Sequence, residues 1–133
     1  MNSSMNKKSV AKKLDRLASN VAKRGIFVVS KQDNVFVVKD HIRGHIVIDD
    51  IPLRNVAEYL CNAKNKSKEP SEAVTKKLAD NMKLYFKYMN DCMFYRYTLK
   101  TTKDPIKYDM TEARLDDASG RLQHIRSELQ QYK

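Results

Sequence analysis

Tryptophan is absent from this 133-residue chain, glycine and proline occur three times each, and cysteine twice. So few glycines and prolines leave few places for tight turns and breaks, which favours long regular elements over a loop-rich β protein or a disordered tail. The two cysteines, Cys61 and Cys92, fall in helix-like segments and not at metal-ligand spacing. They read as free thiols of a reducing compartment, and a bridge between them is not required. No apolar run approaches the ~20 residues of a membrane span, and no amino-terminal run resembles a signal peptide. A soluble, non-secreted protein is therefore expected.

Catalytic signatures are missing as well. The chain has no Gly-rich phosphate loop, no nucleophile elbow, no His-Glu-x-x-His and no Cys-x-x-Cys. Asp49-Asp50 and Asp116-Asp117 are adjacent acids whose side chains diverge, and neither pair defines a general acid or base in a pocket. His41 and His45 flank a turn near Asp40, Asp49 and Asp50, a looser arrangement than zinc requires. The sequence thus reads as non-enzymatic, with no cofactor and no metal.

Acids are scarce at the amino-terminal end. Residues 1–24 hold seven bases (Lys7, Lys8, Lys12, Lys13, Arg16, Lys23, Arg24) and one acid, Asp15, a net of +6 out of the chain's +10. Such a concentration favours an anionic partner, whether a phosphate backbone, an acidic protein surface or an anionic lipid. Lipid ranks last, because this segment lacks the Trp, Phe and Leu-rich face of an interfacial anchor. A plain solvated helix face would carry the same residues.

Periodicity supplies the architecture. Val10, Leu14, Leu17 and Val21 recur at helical spacing, predicting a basic amino-terminal helix over about Ser4–Lys23 that stops at Gly25. Ile26–Ser30, Val35–Lys39 and His45–Ile48 are β-branched and aromatic runs. Short connections, a four-residue turn at Lys31–Asn34 and a second at His41–Gly44, predict a three-stranded antiparallel meander. Asp49-Asp50-Ile51-Pro52 is expected to open a second helix striped by Leu53, Val56, Ala57 and Leu60. A third helix is expected from Ser71 to Leu99, and Pro105 ends it. Asp109-x-x-Glu112 would then cap the last helix.

That last helix has the most regular period. Leu115, Ala118, Leu122, Ile125, Leu129 and Tyr132 alternate steps of three and four. The expected fold is α+β, in which the last two helices form a long hairpin. Three parts are expected: an α-β-β-β-α unit over 1–63, a polar linker over 64–70, and the hairpin over 71–133. Leu115, Leu122, Ile125, Leu129 and Tyr132 are the candidate protein interface. Charged substitutions in this seam would dissociate a complex while leaving the sheet folded. The aromatic run Tyr85, Phe86, Tyr88, Phe94, Tyr95 and Tyr97, interleaved with Lys83, Lys87, Arg96 and Lys100, suits core or interface better than base stacking.

The order α-β-β-β-α across Ser4–Ala63 is similar to that of double-stranded-RNA-binding domains. Where those domains begin their final helix with lysines, this chain reads Asp49-Asp50-Ile51-Pro52-Leu53-Arg54, which is acidic. The stretch Ile46–Leu60, with Asn90–Tyr95 and Glu112–Asp117, resembles small structural or accessory proteins of marine T4-like bacteriophages. That resemblance implies a virion or assembly component in an infected bacterial cell, in the host cytoplasm or the particle. The free edge of the helical hairpin is expected to pack on another copy or in a larger protein complex. The alternative is a sequence-tolerant binder of DNA or RNA using the basic amino-terminal helix.

Overall fold

The computed structural model describes residues 26–133. Three strands, β1 (Phe27–Gln32), β2 (Val35–Asp40) and β3 (Ile46–Ile51), form an antiparallel sheet in the order β1-β2-β3. Three helices follow: α1 (Arg54–Asn65), α2 (Glu72–Thr101) and α3 (Pro105–Gln130). The expected meander and the three helices after it are present. The basic amino-terminal helix lies outside the described residues.

The first turn is tighter than the sequence suggested. Lys31 pairs with Phe36 and Gln32 with Val35, leaving only Asp33-Asn34 as the loop. Asp33 sits at φ 55°, a left-handed conformation that Asp tolerates better than most residues. The second connection is built on Asp40. Its carboxylate accepts the N–H groups of Ile42 and Arg43 at 3.0 and 2.9 Å, and Gly44 supplies φ 76°. The Arg43 amide above all, helped by that of Ile42, favours the ionised form and outweighs burial, holding Asp40 below the usual carboxylate range.

β3 is longer than expected and absorbs Asp49-Asp50, so these acids belong to the strand and not to a helix start. Ile46, Ile48 and Ile51 stand opposite Lys39, Val38 and Phe36, so β3 carries an extra residue at each step. These are bulges, and Asp50 adopts φ 52° in the second of them. A strict two-residue alternation would send Ile48 and Ile51 to opposite faces. The bulge places both against the same core.

That core lies between one face of the sheet and the helices. Phe27 and Val29 from β1, Phe36 and Val38 from β2, and Ile48 and Ile51 from β3 meet Val56, Ala57 and Cys61 of α1. Leu78 of α2 and Ile125 and Leu129 of α3 close it. Each fully buried aliphatic side chain contributes about 1.5–3 kcal/mol. Asn65 fastens α1 to the sheet by accepting the Phe27 N–H (2.8 Å) and donating to the Phe27 carbonyl (3.0 Å). The Cys61 thiol also donates to that carbonyl, and burial pushes its pKa up.

The starts of α2 and α3 follow capping chemistry rather than the seam, whereas α1 has no side-chain cap. α1 begins at Arg54, with Pro52 buried just ahead of it. The Ser71 hydroxyl accepts the Val74 N–H at the start of α2. α3 starts earlier than Asp109. Asp104 accepts the Ile106 N–H at 3.0 Å, and Pro105 occupies the first helical position. At the far end of α3, Asn55 donates to the carbonyls of Leu129 (2.8 Å) and Tyr132 (3.0 Å). Tyr59 and Tyr132 meet edge to face there, 5.2 Å between centroids. No helix among the described residues is long and apolar enough to cross a membrane.

Candidate functional site

The predicted site residues separate into three groups. Lys7, Lys8, Lys12, Lys13, Arg16, Lys23 and Arg24 lie outside the described residues. Ile125 and Leu129 are buried in the chain's own core, Leu129 completely, and Tyr132 is half-buried against Tyr59. Leu115 and Leu122 are half-buried in the hairpin seam. A charge at Leu129 would therefore disrupt the junction with the sheet, because that side chain touches the same core as Val38 and Ile51.

The core also has a clear limit. On α2 it reaches Tyr88, and on α3 it begins again at Ile125, so no residue between 89 and 124 belongs to it. The hairpin runs about 20 Å past that limit, given the 1.5 Å rise per helical residue. In this distal half the fully buried side chains are small, Cys92, Thr111 and Ala118, with Leu115 and Leu122 half-buried in the seam beside them. Cys92 Sγ lies 3.7 Å from Ser119 Oγ.

Large apolar side chains there point outward. Met93, Phe94 and Tyr97 on α2 and Ile106 and Met110 on α3 are each more than half exposed, Ile106 at 73%. Phe94 and Tyr95 stack edge to face at 5.8 Å. Phe94, Thr98, Ile106 and Met110 line a groove of about 350 Å³ at the tip, floored by buried Thr111. Ile106 and Met110 were missed in the sequence because they stand off the Leu115–Tyr132 seam. The available signal was two apolar residues directly after the Asp104-Pro105 start.

The tip groove continues along one side of the hairpin. It shares Tyr95 and Arg114 with the next groove, which shares Tyr88, Asp117 and Arg121 with a third reaching His124. Four cations line this side: Lys87, Lys107, Arg114 and Arg121. Four acids match them: Asp91, Asp104, Asp116 and Asp117. Arg121 Nε donates to Asp117 at 3.1 Å, and the Tyr88 hydroxyl, ahead of Asp117, raises the arginine's pKa further. The opposite side differs. Its groove of about 390 Å³ is lined by Arg96 and Arg126 with Ser119, Ser127, Gln123 and Gln130, and by no acid.

Both cysteines are buried, and the Asp40 carboxylate is engaged by its turn. No group of three or more His, Cys, Asp or Glu among the described residues is placed to hold a metal ion. What this geometry offers is surface: apolar at the tip, charge-balanced on one side and cationic on the other. Comparisons with protein-family models, curated proteins and solved structures found no match.

Proposed function

We propose that the chain is a small non-catalytic structural or interaction protein that docks on a larger protein assembly through the tip of its helical hairpin. The observation that carries this is the cluster of Phe94, Ile106 and Met110 around an open groove beyond the chain's own core. Exposed apolar clusters of this kind, rimmed by charge, are the usual mark of a protein contact. The resemblance to phage accessory proteins makes a virion or its assembly intermediate the natural host structure. In an extract of the source, the parent chain is expected to sediment with a larger particle. The variant Ile106→Lys/Met110→Lys is expected to sediment as free chain with unchanged helicity. Equal sedimentation of the two would remove the tip as the contact.

A second reading is favoured by the cation concentration in residues 1–24 and by the acid-free groove of Arg96 and Arg126. Guanidinium, hydroxyl and amide groups together suit phosphate contacts without base readout. This reading expects affinity for unrelated DNA and RNA sequences that falls linearly in log K against log salt. Replacing Lys8, Lys12 and Lys13 with Ala would weaken it uniformly. Absence of binding at low salt would dismiss it.

A further inference from the structure

We infer that the charge-balanced side of the distal hairpin is an interface with a second copy of this chain, two hairpins lying face to face as a four-helix unit about a two-fold axis. The inference goes beyond the docking reading: that contact uses the apolar tip, and this one uses the flank below it. Two helices side by side form only half of a bundle, and a second pair completes the arrangement found in four-helix proteins. Charge selects the occupant. Two chains of +10 repel each other, yet the flank below the tip presents three cations (Lys87, Arg114, Arg121) and three acids (Asp91, Asp116, Asp117) interspersed along its length. A two-fold contact is self-complementary, so each copy's bases can meet the other's acids. The same balance gives no net attraction to nucleic acid.

Size sets the strength of the contact. Past the core limit two adjacent helices run side by side for about 20 Å, a face of roughly 400 Å² in projection, below one partner's share of a standard interface and suited to a weak, concentration-dependent dimer. Gly120 adds an independent sign. It sits within α3 and lines this side, where a Cβ would meet nothing within 4 Å. Without a side chain at this point the surface is low and open, which leaves room for a neighbouring helix to approach.

The test uses the full chain in sedimentation equilibrium over a wide concentration range. The parent is expected to dimerise. One variant, Arg114→Glu/Arg121→Glu, makes the side acidic; another, Asp91→Lys/Asp117→Lys, makes it basic. All four positions lie on the hairpin's surface, and circular dichroism checks that helicity is kept. Each variant alone is expected to dimerise about a hundredfold more weakly or worse. An equimolar mixture is expected to restore the dimer as a heterodimer. A parent that stays monomeric overturns the inference, and so do variants that dimerise like the parent or fail to pair with each other. The docking reading fails by a different result, co-sedimentation of Ile106→Lys/Met110→Lys with the particle.

Discussion

The two ends of the hairpin use the same helices for opposite purposes. At the root, Leu78, Ile125 and Leu129 are covered by the sheet and α1; at the tip, Phe94 and Ile106 are 64% and 73% exposed. Apolar content does not distinguish the two ends. What distinguishes them is whether a third element of the chain lies within reach. At the root the hairpin is a core component, and its apolar residues support folding. At the tip similar residues have nothing in the described chain to cover them, so they mark a surface for something else.

The sharpest way to break this contrast is a matched pair of truncations. Leu129→Ala is expected to lower stability by about 2–5 kcal/mol in urea unfolding, the range for a fully buried leucine. Ile106→Ala should change it by less than about 0.5 kcal/mol. Similar losses at both sites would show that the tip is packed in the monomer. A smaller effect is expected from Asn55→Ala, which leaves the Leu129 and Tyr132 carbonyls without their donor. A loss of about 1–2 kcal/mol would confirm that this amide holds the root together.

Acid offers a third probe, acting on the sheet side of the contrast. The pKa of Asp40 is depressed in the folded state, so its contribution is complete above the unfolded value of about 4 and disappears as pH falls through the folded value. Asp40→Asn should flatten the acid limb of a stability–pH curve below about pH 4. An unchanged limb would assign the acid sensitivity to other carboxylates. The smallest expected effect is a gain. Gly120→Ala should stabilise the chain by about 0.5–1 kcal/mol, because the added methyl meets open space. If the paired-hairpin arrangement is correct, the same substitution weakens self-association while strengthening the fold.

Much of the fold could be read from periodicity. β-branched runs located the three strands, and three- and four-residue steps located the helices, because both patterns report a single buried face. Boundaries were less legible where special backbone geometry decided them. Nothing in the spacing of Asp49-Asp50 distinguishes a helix start from a bulge at φ 52°, since acids suit both. Asp104 rather than Asp109 caps α3, because Pro105 pre-sets the first turn. The interface was harder still. The seam periodicity of Leu122, Ile125 and Leu129 is identical for packing within a chain and between chains. Only the position of the sheet determines that Ile125 and Leu129 belong inside. Ile106 and Met110 break the seam pattern, so a regular stripe does not include them.

The doubly bulged β3 has a consequence beyond aligning Ile48 and Ile51. Among the described strands it stands at an outer position of the sheet, where a flat strand would offer incoming polypeptide a regular row of amides and carbonyls. Two extra residues within six break the spacing of that row and twist it, so a straight strand cannot zip along it. The irregularity that brings two isoleucines to one face thus also acts as a guard against fibrillar growth from that side.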